Sequence, residues 1–131
     1  LTDGAFNDTA VARLYGYDYD IIHSSKDLTN EIEEMITSAE ILYKRGFHWT
    51  TDAGYRETWG QVMDYRDKGA LCVEMEGVGL FTIANYRKCV ATGIYVVSDV
   101  YSENDWKLGW EGNDIKRAVG AVIDMIIESI R

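Results

Sequence analysis

The sequence predicts an α/β fold, and three observations carry that reading. Apolar runs of strand length alternate with segments of helical period, most clearly in the second half of the chain. The 131 residues suffice for one core, and 47% hydrophobic with 27% charged residues is the balance of a folded chain, not a disordered one. Two apolar runs end in acids, Val73-Glu74 and Val96-Val97-Ser98-Asp99, as strands do where they leave a packed sheet.

Composition excludes several function classes. No apolar run approaches the roughly 20 residues of a membrane span, so no membrane partner is expected. With 22 acidic and 13 basic residues the formal net charge is -9, which argues against a nucleic-acid backbone as partner. The chain begins at Leu1 with neither an initiator Met nor a signal-like stretch, so we expect it to start inside a longer protein. Cys72 and Cys89 each sit among apolar residues, which predicts buried, reduced thiols and a cytoplasmic location. His23 and His48 lie in no metal-ligand spacing, so no metal is expected.

The elements follow in order. Leu1 to Asn7 and Ala12 to Tyr17 read as short strands, punctuated by Gly4 and Gly16. Ser25 or Asp27 caps a helix over Asp27 to Arg45, because Leu28, Ile32, Met35, Ile36, Ala39 and Leu42 recur at helical spacing and Gly46 ends the run. Phe47 to Thr51 is a strand, Asp52 to Tyr55 a loop, and Glu57 to Asp67 a short polar helix closed by Gly69. Ala70 to Glu74 is a short strand. Gly77 to Tyr86 is apolar nearly all round and predicts a buried helix. Val90 to Val97 reads as a core strand. Ser102 to Asn113, polar with two tryptophans and two glycines, is expected to be a loop or lid. Ile115, Val119, Val122, Ile123, Ile126, Ile127 and Ile130 form one stripe of a last helix. No repeat or interdomain linker interrupts the chain.

The chemistry concentrates at two strand ends, Val73-Glu74-Met75-Glu76-Gly77 and Val97-Ser98-Asp99. Ligands of open α/β sheets sit outside the carboxyl ends of strands, so neighbouring ends that each present an acid make an acidic pocket over a packed core. Glu76 alone is a reasonable helix-start residue. Asp99 follows a largely apolar run and should be partly desolvated, which raises a carboxyl pKa and permits proton donation near neutral pH.

These motifs, with the apolar helix between them, resemble the nucleoside phosphorylases, a family that includes the bacterial-type purine nucleoside phosphorylases and the uridine phosphorylases. Thr50-Thr51-Asp52-Ala53-Gly54-Tyr55-Arg56-Glu57 is similar to that family's loop before its short helix, and Leu1-Thr2-Asp3-Gly4 to the segment past its midpoint. The resemblance implies that residues 1–131 form one partial domain. That domain is the C-terminal half of a three-layer α/β fold, with a mixed sheet flanked by helices. It also implies phosphorolysis of a nucleoside to free base and ribose 1-phosphate, purine favoured over uridine, in a homo-oligomeric dimer or trimer of dimers. Phosphate is a co-substrate and no cofactor is implied.

By the same resemblance Asp99 is the general acid that protonates the base. Glu76, Met75 and Glu74 bind the ribose, Glu76 through both hydroxyls of the cis-diol. Val73, Ser98 and Tyr55 meet the base, and Lys116 or Arg117 supports the acid. Gly54 departs from the family, which commonly places a stacking aromatic there; Tyr55, Trp106 or Trp110 is the candidate substitute. The family's phosphate cradle is a glycine-rich loop with arginines, and these residues contain none, so this piece alone is expected to be inert. Two other functions fit the same motifs: a nucleosidase of the methylthioadenosine type, using water in place of phosphate, and an inactive nucleoside-binding module.

Overall fold

β1 (Thr2–Asp8) is the hub of a four-stranded mixed sheet. The computed structural model describes residues 1–102, 105–108 and 112–130. In it the sheet order is β2 (Ile21–His23), β1, β3 (Gly46–Thr51), β4 (Ala70–Glu74). β2 runs antiparallel to β1, while β3 lies parallel to both β1 and β4. The pairing of β1 with β3 shifts between Thr2 and Gly4. A Cβ on Gly4 would stand 2.7 Å from the Ile22 carbonyl oxygen at a φ of +152°, so only glycine fits that irregularity.

Helices cover the sheet. α4 (Gly77–Arg87) and the single turn α1 (Val11–Leu14) pack on one face. There Ala5, Ala12, Ile22, Val78 and Phe81 form the buried core. α3 (Trp59–Asp67) lies against β4 and sends Tyr65 to Trp49 and Phe6: its ring stacks on Trp49 at 4.4 Å and 13°, with Phe6 at 5.9 Å. α3 starts one residue past Thr58 because Thr58 and Gln61 form a capping box, each side chain serving the other's backbone N–H. α2 (Lys26–Ser38) and α5 (Asn113–Ser129) touch one another. No helix among the described residues is long and apolar enough to cross a membrane.

Several elements differ from the sequence expectation. Residues 11–14 are a helical turn, not a strand: the run is too short for periodicity to decide, and the turn buries Ala12 in the core. α2 stops at Ser38 instead of continuing to Arg45. Thr37 and Ser38 turn their hydroxyls back to the carbonyls of Glu33 and Glu34, and Glu40 takes a left-handed φ of 53°. Residues beyond it return to the sheet, where Arg45 Nε donates to Asp3 Oδ1 at 2.8 Å, leaving Leu42 fully exposed.

α4 is half-buried, with Leu80, Ile83 and Tyr86 outward. Residues 90–97 form no strand; Val90 and Val97 are exposed. Their backbone bonds elsewhere: Ser25 N donates to Ala91 O and Thr2 N to Gly93 O. Cys89 is exposed, not core, while Cys72 is half-buried, and burial raises its thiol pKa. β5 (Asp99–Ser102) and β6 (Asp105–Leu108) form an antiparallel ribbon within the expected loop. Trp110 and the side chain of Trp106, candidates for stacking, lie outside the described residues.

Candidate functional site

The carboxyl end of β4 delivers Val73, Glu74 and Met75 to a cleft of about 800 Å³. Ser98 and Asp99 close the cleft from the root of the β5–β6 ribbon. One wall is apolar and comes from Val119, Val122 and Ile123 of α5; another is the Trp49–Tyr65 pair. Five of the expected site residues therefore share one cavity.

Asp99 is half-buried. The Ser98 hydroxyl donates to its Oδ2 at 2.7 Å. Its Oδ1 is buried and has no hydrogen-bond partner among the described residues. Buried polar atoms nearly always find a partner, so an orphaned carboxyl oxygen on a cleft wall marks a group held for something other than packing.

Glu74 is the most engaged side chain of the site. Thr50 Oγ1 donates to its Oε1, and the buried His48 ring places Nε2 at 3.0 Å from the same oxygen, off the straight line a strong hydrogen bond prefers. Its Oε2 accepts from the backbone N–H of Glu76 at 2.8 Å and of Gly77 at 2.7 Å. Those two N–H groups open α4, and a carboxylate is the partner its dipole favours. Burial raises the Glu74 carboxyl pKa, but contacts from His48, Thr50 and the Glu76 N–H outweigh burial and hold it below its ordinary value. Three donors, Thr50 Oγ1 and the Glu76 and Gly77 N–H groups, hydrogen-bond the carboxylate, and the His48 ring lies against it.

His48 is held from behind, with Nδ1 2.6 Å from Thr2 Oγ1. The same Thr2 hydroxyl donates to the Gly4 carbonyl at 2.9 Å, so one side chain ties the His48 ring to the start of β1. Tyr95 tilts over the imidazole at 4.7 Å, and burial, then the nearby Glu74 charge, pushes its phenol pKa well up. No motif spacing singles out His48, Thr2 or Tyr95. His48 and Thr2 are found only once β1 and β3 are paired, which brings both buried side chains together; Tyr95 lies outside both strands.

Apart from Met75 at the mouth, the remaining expected residues do not line the cleft. Glu76 is exposed on the turn after Met75, and its Oε2 takes only the Met75 N–H at 3.3 Å. Met75 is 53% exposed at the mouth. Tyr55 is fully exposed and does not line the cleft, because the 3₁₀ turn Gly54–Arg56 points it outward. Lys116 and Arg117 are not brought to Asp99. They line a separate hollow at the start of α5, and Arg117 pairs with Asp114 one helical turn away. Gly54 stands in open space: a Cβ there would meet only Glu57 Oε1, at 3.8 Å. Among the described residues no three His, Cys, Asp or Glu side chains converge as a metal site would require.

The fold is a mixed α/β sheet in which the carboxyl end of the parallel strand β4 and the start of the β5–β6 ribbon open on one cleft. The chain belongs to the phosphorylase superfamily, whose family model matches residues 1–128. Two solved structures share the fold. The Plasmodium knowlesi homologue of P. falciparum PNP has a TM-score of 0.77 at 18% identity, with 97% of this chain and 50% of that chain covered. AMP nucleosidase from Bacteroides thetaiotaomicron has a TM-score of 0.63 at 19% identity, with 100% and 56% covered. The chain thus spans about half the length of these relatives. No curated protein matches the sequence.

Proposed function

We propose that the protein carrying this chain cleaves the N-glycosidic bond of nucleosides by phosphorolysis, with purine nucleosides favoured. The observation that carries the reading is the Asp99 Oδ1, buried and without a partner among the described residues, in the cleft that the end of β4 also lines, with the exposed Glu76 carboxylate on the adjoining turn after Met75. Asp99 gives its proton to the imidazole nitrogen of the base as the glycosidic bond breaks. The bonding pair leaves with the base, which departs neutral, and a phosphate oxygen forms the new bond to the anomeric carbon. Glu76 accepts hydrogen bonds from the ribose cis-diol and places negative charge beside the developing oxocarbenium ion. Met75 packs its thioether on the sugar.

Hydrolysis is the second reading, favoured by the fold shared with an AMP nucleosidase over the whole chain. Inosine turnover by the full-length protein, with and without phosphate, separates the two. Phosphate-dependent release of hypoxanthine and ribose 1-phosphate is expected. Equal rates in phosphate-free buffer establish hydrolysis instead, and binding without turnover establishes a non-catalytic nucleoside module. Asp99→Asn should lower turnover about 100-fold, the usual scale of general acid catalysis, and an unchanged rate removes Asp99 from the mechanism.

A further inference from the structure

We propose that Glu74 is a positioning residue that aims Glu76, not a ligand of the sugar. It rests on the reading of Glu76 as the diol-binding carboxylate. Four observations converge on it. Glu74 Oε2 holds the backbone N–H of Glu76 and of Gly77, the two groups that fix the turn from β4 into α4. Glu74 Oε1 is held by Thr50, whose Oγ1 also accepts from Val78 N at 3.2 Å, so the next donor of the same helix start is tied to the same cluster. His48, 1% exposed and braced by Thr2, stands against Oε1. The glycine at 77 admits this arrangement and nothing larger, because a Cβ there would lie 2.3 Å from His48 Nε2 and 3.0 Å from Glu74 Oε1.

One carboxylate therefore joins β1, β3, β4 and α4 behind the site, with only 11% of its side chain exposed. Glu76, by contrast, has an exposed side chain whose own backbone is fixed by Glu74. Rigid support from neighbouring hydrogen bonds is what a ligand-binding carboxylate requires, since a shift of about 1 Å already weakens it severely. Two acids separated by one residue thus divide the work, the first built into the protein and the second free for a ligand.

The test uses the full-length protein with Glu74→Met, which keeps the length and removes the acceptors. Glu74→Gln is its partner, keeping one carbonyl oxygen for the two N–H groups. The amide proton resonances of Glu76 and Gly77 report the latch directly, and the ratio of kcat/KM for a ribonucleoside over its 2′-deoxy analogue reports the aim of Glu76. Glu74→Met is expected to move both amides upfield and lower that ratio about tenfold, with Glu74→Gln restoring the amides and holding the ratio within about threefold of wild type. Equal losses on both substrates, or an unchanged ratio, overturn the positioning role. If Glu74→Met does not fold, Thr50→Val, which removes the donor to Oε1, is read the same way. A wild-type protein that cleaves no nucleoside defeats the functional reading alone; the latch is then judged by the amides, and unmoved amides overturn it.

Discussion

Replacing Gly77 with alanine probes the packing behind the candidate site. The added Cβ would stand 2.3 Å from His48 Nε2, 2.8 Å from the Tyr95 hydroxyl and 3.0 Å from Glu74 Oε1. None of the three is the loose end of a flexible side chain. His48 is buried, with Thr2 2.6 Å behind it and the Tyr95 and Phe81 rings at 4.7 and 6.1 Å. Glu74 is fixed by the start of α4. Overpacking of this kind costs about 2–3 kcal/mol, and alanine's better helix propensity returns up to about 1 kcal/mol. The net loss of about 2 kcal/mol corresponds to roughly 8 °C in Tm for a domain of this size. Gly79 is the control on the same helix: a Cβ there has nothing within 4 Å. Gly79→Ala should therefore stabilise by about 0.5–1 kcal/mol. Thermal and urea melts of both variants measure the contrast. A Gly77→Ala protein within about 0.5 kcal/mol of wild type, or two variants shifted in the same direction, would refute the packing argument.

Three further outcomes follow from the site. Glu76→Ala should weaken ribonucleosides more than 2′-deoxynucleosides, measured as kcat/KM, because one partner of its diol contact is already missing in the latter; equal losses would leave Glu76 an electrostatic role only. Glu74 is held below its ordinary 4.5, so its contribution to stability is complete above that pH and is lost as the pH falls through the lower folded value. Urea midpoints in the acid range should show this slope in wild type and lose it in Glu74→Gln, and parallel curves would count against the latch. Tyr55→Ala should leave nucleoside KM unchanged, since Tyr55 is fully exposed and off the cleft lining; a rise in KM of about tenfold would place the ring on the base after all.

The elements legible in the sequence are those whose local signals agree with their surroundings. β4 runs over Ala70–Glu74 as its apolar run and the flanking glycine indicate, and α5 follows its isoleucine stripe from Asn113. Residues 90–97 carry an equally strong strand signal. Their backbone hydrogen bonds go to Ser25 and Thr2, and no ladder forms on them among the described residues. Strand propensity describes what a segment can join, not what lies beside it. Both acidic motifs lie at the cleft, but only Val73-Glu74 does so as a strand end running into a helix start; Asp99 reaches it as the first residue of β5. The different surroundings of Glu74, held from β3 and the start of α4, and of Glu76, exposed, were not legible. They depend on Thr50 and His48, which pairing brings against Glu74 from a strand more than twenty residues earlier in the chain.

Asp99 is the first residue of β5, opposite Leu108 in a ribbon of only two strands. A ribbon of that size is marginal by itself, and a slip of one residue in its register turns every side chain to the other face. Asp99 and Glu76 thus answer to different mechanical supports. Glu76 is anchored to the four-stranded sheet through Glu74, while Asp99 belongs to a separate two-stranded ribbon. In the proposed mechanism, then, a contact made to the ribbon bears on proton delivery without passing through the hydrogen bonds that hold the Glu76 backbone.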